Sequence, residues 1–311
     1  MSRYFSGRIG QAILVLWAAF TVSFILLQVL PGDAILIKFQ NPDMGLSPTQ
    51  IADMRAAYGA DMPMWQQYFH TLGNFLRGDL GYSIQAGVPV TELLNSNFTP
   101  TLRLAVLGFV LATAVAVVIA FLSSLLHFGW LKSLFQSLPS LFISIPTFWL
   151  GIVLIQFFSF YLRWIPVINP GEWVGLILPI VTLAVPISAP LAQILIRSID
   201  QVQTQPFVAV ARAKGASRSG VLWRHVARNA LLPALTIAGL LLGELIAGAL
   251  ITETVFGLNG LGQLTQQAVN NQDVAVLQAI VVISAAAFVA INLLVDLVFP
   301  LLDPRLTGAH A

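Results

Sequence analysis

Six stretches of this chain are long enough and apolar enough to cross a lipid bilayer, and that property dictates what it can fold into. An α-helix rises about 1.5 Å per residue, so crossing roughly 30 Å of hydrocarbon takes about 20 mostly apolar residues. The stretches are residues 9–30, 104–126, 134–162, 173–196, 231–256 and 276–302. Composition excludes a water-soluble alternative. Of 311 residues only 9% are charged, 57% are hydrophobic and the mean hydropathy is +0.85. Soluble domains carry about 25% charged residues, and this chain lacks the polar surface to cover itself in water. The expected fold class is an all-α integral membrane protein with about six transmembrane helices. The absence of cysteine excludes disulfides and thiolate metal sites. A net charge of +2 gives no reason to expect a nucleic-acid partner.

The placement of positive charge sets the orientation. Ten of the fifteen basic residues fall on one side if the N-terminus is cytoplasmic: Arg3, Arg8, Lys132, Arg197, Arg212, Lys214, Arg218, Arg224, Arg228 and Arg305. The other five are Lys38, Arg55, Arg77, Arg103 and Arg163, and four of them lie in or beside one long segment. Long segments translocate largely regardless of charge, so the short loops decide and both termini are expected inside. Arg3 and Arg8 before the first stretch imitate a signal peptide. Its apolar run is too long, however, and no small-x-small cleavage site follows Leu30-Pro31-Gly32-Asp33, so an uncleaved first helix is expected.

Residues 31–100 are mixed in polarity and carry turn signals such as Asn41-Pro42 and Gly78-Asp79-Leu80-Gly81. Ser47-Pro48-Thr49-Gln50, followed by Ile51, Met54 and Tyr58, predicts a short capped helix. Met64-Trp65-Gln66-Gln67-Tyr68-Phe69 predicts a second helix with aromatic residues at headgroup level. A small external subdomain, a scaffold at the outer mouth rather than a dedicated ligand site, is the expectation.

Between the fourth and fifth stretches, residues 201–230 hold five of the fifteen basic residues. Pro206 suits a first helical position, Phe207, Val210, Ala211 and Lys214 follow at helical spacing, and Gly215 is free to end the helix at positive φ. A second helix is predicted from Ser217, with Val221, Leu222, His225 and Val226 on one side and Arg218, Arg224 and Arg228 flanking, before Pro233 opens the fifth span. A solvated basic loop accounts for the charge. The small residues Ala209, Ala211, Ala213, Gly215 and Ala216 suit the close approach of another protein surface, and the residues alone leave both readings open.

The run Phe207-Val208-Ala209-Val210-Ala211-Arg212-Ala213-Lys214-Gly215-Ala216-Ser217, with Arg224-His225-Val226-Ala227-Arg228-Asn229-Ala230-Leu231-Leu232-Pro233, resembles the EAA loop of binding-protein-dependent ABC importer permeases. Its form is that of the dipeptide, oligopeptide and nickel branch. Further matches run the length of the chain in the expected order: Leu30-Pro31-Gly32-Asp33, Gly78-Asp79-Leu80-Gly81-Tyr82-Ser83, Pro146-Thr147-Phe148-Trp149-Leu150-Gly151, Thr252-Glu253-Thr254-Val255-Phe256, Asn292-Leu293-Leu294-Val295-Asp296 and Leu302-Asp303-Pro304-Arg305. Two positions depart from the pattern. Gln205-Pro206 stands where an acidic residue is common, and Ala209 occupies the position of the glutamate that names the broader motif.

The resemblance implies a type I ABC importer permease fold in a bacterial cytoplasmic (inner) membrane. Its parts would be an N-terminal transmembrane helix (1–30), an extracytoplasmic segment (31–100) and a transmembrane core (101–305) carrying a cytoplasmic coupling loop (201–230). The coupling residues it implies are Phe207, Ala209, Ala211, Arg212, Ala213, Lys214, Gly215, Ala216, His225, Arg228 and Asn229. The implied partners are a second homologous permease, one or two cytoplasmic ATPase subunits that bind the ATP and magnesium, and an extracytoplasmic solute-binding protein. The implied cargo is a peptide or similar small solute, with nickel or a metal chelate as the other members of the branch.

The rest of the sequence fits that division of labour. None of the lysines Lys38, Lys132 and Lys214 follows a glycine, so no G-x-x-x-x-G-K-[ST] phosphate loop is present. His70, His127, His225 and His310 show no metal-ligand spacing, and no catalytic constellation is legible, so the chain is not expected to be an enzyme or to hold a cofactor or metal. Charges within spans are costly and usually functional. Glu244 is expected to face the translocation path, whereas Glu253 and Asp296 lie toward span ends, where a structural role competes with a path role for Glu253. Gly239, Gly243 and Ala247 at four-residue spacing permit close helix crossing, within the chain or at a seam with a second permease. An ion-coupled secondary transporter is the rival class, but it calls for buried carboxylates and inverted repeats, and the sequence shows one deep carboxylate and no clear internal repeat.

Overall fold

The computed structural model describes residues 2–29, 62–126 and 128–302. The predicted helix after Ser47 and the motif from Asp303 onward lie outside the described residues. The chain divides into two compact units, Met1–Thr101 with Gly257–Val289 and Leu102–Phe256 with Ala290–Ala311.

In the first unit, α1 (Ser2–Val29) packs against α2 (Met64–Leu76), the external helix expected at residues 64–69. Their contact is aromatic: Phe20, Phe24, Tyr68 and Phe75 meet with ring centroids 5.3–6.3 Å apart, mostly edge to face. The hydroxyls of Thr21 and Tyr68 share a hydrogen bond at 2.8 Å. After α2 the chain turns at Gly78 and Gly81, both at positive φ, with the Asp79 carboxylate accepting from the Gly81 N–H at 2.9 Å. A two-stranded hairpin follows, β1 (Tyr82–Ser83) against β2 (Val88–Pro89) in antiparallel register.

Helix α3 (Val90–Leu125) begins in this unit, which also holds α10 (Leu261–Asn270) and the start of α11 (Val274–Leu302). Two long-range bonds tie these parts together. The Thr101 hydroxyl accepts from the Leu261 N–H at 2.8 Å, capping α10 at a position where Gly260 offers no side chain. The amide of Gln278, 3% exposed, donates to the Phe20 carbonyl at 3.0 Å and so fixes α11 to α1.

In the second unit, α6 (Val174–Gln203) is the most buried element and packs along α9 (Ala227–Phe256), with α4 (Gly129–Ser144) and α5 (Thr147–Leu154) also laid against it. Leu183 of α6 is 1% exposed and wedged between two glycines. A Cβ on Gly108 of α3 would lie 2.7 Å from its Cδ2, and one on Gly248 of α9 would lie 2.9 Å from its Cδ1. Small residues thus let three helices converge, as membrane helices without a hydrophobic driving force require.

Among the described residues five helices are long and apolar enough to span, and the expected third span is the exception. It consists of two helical parts, Gly129–Ser144 and Thr147–Tyr161, meeting at 101°. The cause is Pro146, whose ring pushes the preceding residue out of helical geometry; Ile145 sits at φ −92° and ψ 118°. Pro139 and Pro233, by contrast, lie inside continuous helices.

Candidate functional site

The loop that precedes α9 has a defined construction. Helix α6 ends at Gln203, Gln205 is extended, and Pro206 opens α7 (Pro206–Ala213) with its fixed φ. Helix α7 closes in a Schellman turn: Ala216 N–H bonds the Ala211 carbonyl at 3.2 Å and Gly215 N–H bonds the Arg212 carbonyl at 2.9 Å. This turn places Gly215 at φ +85°, a conformation that L side chains rarely adopt. Two residues on, the Ser217 hydroxyl caps α8 (Arg218–Val221) by accepting from Gly220 N–H at 3.2 Å. A π-helical turn, Leu222–Val226, then carries the chain directly into α9. The fifth span, Pro233–Phe256, opens at Pro233 as expected, and helical structure from Arg218 leads into it without a break.

Burial divides the loop into two faces. Val208, Val221, Leu222 and Val226 are each at most 2% exposed and seat it on the bundle. Phe207, Ala209, Val210, Arg212, Ala213, Lys214, Gly215 and Ala216 face outward with His225, Arg228 and Asn229, while Ala211 is half-buried. The apolar spacing of Phe207 and Val210 is thus not a core face: a two-turn helix seated by Val208 turns both side chains away from the chain, 42% and 53% exposed. Trp223 is a contact that sequence reasoning passed over. It stacks on Phe121 of α3 with ring centroids 4.3 Å apart and 18° between planes, and its signal was one large aromatic in a loop of small residues.

The loop lies at the end of the unit where α3 and α6 terminate, because Ser124 and Leu125, Gln203, and Arg212 and Arg218 line one crevice beneath it. At the far end of the unit, roughly 33 Å along α3, Arg103 pairs with Glu172 and lies 3.9 Å over the ring of Trp173. Among the described residues no three of His, Asp or Glu gather where one metal ion could be held.

The candidate path residues lie on α9. Glu244 is exposed, on a stripe with Leu240, Ala247 and Ile251. Glu253 is 1% exposed and inside the chain, so of the two carboxylates only Glu244 reaches a surface. Gly239 and Gly243 are buried, which assigns them to packing within the chain, whereas Ala247 is exposed. Asp296 falls in α11, and its side chain lies outside the described residues.

Comparisons with known proteins show the family and the fold. The chain matches the family model "Binding-protein-dependent transport system inner membrane component" over residues 112–308. A probable peptide ABC transporter permease of Sinorhizobium fredii is 35% identical over 98% of this chain and 99% of its own. The glutathione transport system permease protein GsiC of Pectobacterium atrosepticum is 34% identical, with the same coverage of each chain. Among solved structures, an inward-facing MetNI methionine ABC transporter matches with a TM-score of 0.57 at 18% identity, covering 68% of this chain and 96% of that one. An amino acid ABC transporter matches with a TM-score of 0.51 at 19% identity, covering 69% and 94%. The fold is that of a type I ABC importer permease.

Proposed function

The chain belongs to the family of binding-protein-dependent transport system inner membrane components, and from that premise we propose that it forms half of an ATP-driven import path for peptides or a glutathione-like solute, coupled through residues 201–230 to a cytoplasmic ATPase. The single observation that carries the coupling role is the two-faced loop. Its inner face is fixed by buried Val208, Val221, Leu222 and Val226, while its outer face combines Phe207 and Val210 with small residues and the cations Arg212 and Lys214. A partner can approach the backbone there closely, bury two apolar side chains and meet two positive charges.

The remaining parts follow from the same reading. The second half of the path comes from a homologous permease, and the solute is delivered by an extracytoplasmic binding protein. ATP and magnesium are held by the ATPase subunits. Arg197, Arg212, Lys214, Arg218, Arg224 and Arg228 gather toward the loop end of the second unit, which supports placing that end, and both termini, in the cytoplasm. An exposed carboxylate facing hydrocarbon is costly, so Glu244 faces the aqueous path. The names of the relatives support peptides and glutathione ahead of nickel or a metal chelate.

The test is purification of the tagged chain in mild detergent with identification of its partners. A second permease and phosphate-loop ATPases are expected, with transport that needs ATP and survives a protonophore. A stable homo-oligomer without an ATPase, whose transport collapses with the proton gradient, overturns the proposal in favour of an ion-coupled carrier.

A further inference from the structure

We infer that helix α2 is seated in the outer interfacial layer of the bilayer, with the face formed by Trp65, Phe69 and Leu76 in contact with lipid. This goes beyond the importer reading and needs only that α1 and α11 span the membrane.

The depth of α2 follows from its partners. Gln278 bonds the Phe20 carbonyl, and Phe24 lines a cleft of about 270 Å³ together with Val274 and Ala275. Helices α1 and α11 therefore run antiparallel there, with Phe24 level with the first turn of α11. Immediately before that turn the chain reads Asn270-Asn271-Gln272-Asp273, which marks the water side. Helix α2 packs on Phe20, Thr21 and Phe24, so it lies at the level where the last span begins and not above the membrane.

The pattern of α2 suits that position. At about 100° per residue, Tyr68, Thr71 and Phe75 share the arc turned to α1. Trp65, Phe69, Leu72 and Leu76 share a second arc of roughly 60° beside it. Gln66, Gln67, His70 and Asn74 fill the opposite side. Trp65, Phe69 and Leu76 are 63%, 65% and 81% exposed, and no Asp, Glu, Lys or Arg occurs between Met62 and Leu76. Among the described residues of its own unit, nothing covers this face. On α1, itself long and apolar enough to span, Trp17, Ile25 and Leu26 are exposed as well. A helix with one apolar side free, one polar side and aromatic anchors lies in the interface plane.

The chain contains no cysteine, so single-cysteine variants of the full chain, with its co-purifying partners in phosphatidylethanolamine–phosphatidylglycerol vesicles, take one spin label each. Labels replacing Trp65, Phe69 and Leu76 are expected to collide with oxygen relative to a water-soluble nickel chelate several-fold more often than labels replacing Gln66 and His70. A parallel measurement needs no label: brominated acyl chains should quench the native chain more strongly than Trp65→Phe. Labels at 65, 69 and 76 that meet the nickel chelate as freely as those at 66 and 70 place the helix in water and overturn the inference. Labels shielded from both reagents, with no loss of quenching in Trp65→Phe, show that a protein covers the face and overturn it equally.

Discussion

Trp223, in the π-helical turn that leads into α9, stacks on Phe121 of α3 across a centroid distance of 4.3 Å. The stack binds the loop to the C-terminal part of α3. Such pairs contribute about 1 kcal/mol beyond the area they bury. Trp223→Ala is expected to lower the detergent melting stability by that amount and to cut transport roughly tenfold, the kinetic equivalent of about 1.4 kcal/mol, while ATPase subunits still co-purify. Trp223→Phe should restore transport, and an unaltered rate in the alanine variant would show that the stack is not part of coupling.

Gly215 separates backbone from bulk. A Cβ there meets nothing within 4 Å of its own chain, so the intramolecular penalty is the left-handed φ alone, about 1–2 kcal/mol for an ordinary residue and less for asparagine. Gly215→Asp should leave insertion intact yet abolish transport and loosen the ATPase, because on the proposed coupling role the side chain would project into the partner surface. Gly215→Asn should weaken ATPase retention with little change in folding; equal retention in both variants would remove Gly215 from the contact.

Glu244 is the exposed carboxylate of α9. Replacement by glutamine keeps its shape and removes its charge. Transport by the reconstituted complex should change by roughly fivefold or more through kcat or KM, with ATPase assembly unaffected. Wild-type kinetics for both Glu244→Gln and Glu244→Ala would place the residue off the path.

Ser83 donates to the Asp273 carboxylate at 2.5 Å, and the two residues are 1% and 3% exposed. Removing the Ser83 hydroxyl leaves the buried Oδ2 of Asp273 without its partner, while Oδ1 keeps the Val276 N–H at 3.5 Å. Ser83→Ala should therefore destabilise the chain by about 2 kcal/mol, readable as a lower melting temperature, and Ser83→Thr should recover most of it.

Gly108→Ala ordinarily favours a helix by about 1 kcal/mol. Here the new methyl would press on Leu183, which Gly248 blocks from yielding on its other side. A net loss of about 1–3 kcal/mol is expected. Shortening the obstacle in Gly108→Ala/Leu183→Ala should give less than the sum of the single losses, so strict additivity in that cycle would contradict the wedge.

Residues whose behaviour depends on their neighbours in sequence were the legible ones. Pro206, Gly215 and Ser217 act through local backbone rules, and each punctuates the loop where its chemistry requires. The apolar stretches were equally plain, since bilayer thickness demands length and little else. Three features depended on the rest of the molecule. Pro139, Pro146 and Pro233 look alike in sequence, yet only Pro146 coincides with a bend. Phe207 and Val210 repeat at the spacing of a core face, and only the anchoring of Val208 shows that they point outward. Ser83 with Asp273 and Phe121 with Trp223 join positions far apart in the chain, which no local pattern encodes.

Because the helix capped by Ser217 runs on through the π-turn to Phe256, the docking loop has no slack behind it. At about 1.5 Å per residue this helical path is roughly 60 Å long, and on the proposed coupling role its capped end meets the ATPase. A pivot of a few degrees at the capped end displaces the opposite end by several ångströms. On the proposed coupling role, nucleotide-driven motion at the loop would reach the other end of the path as leverage.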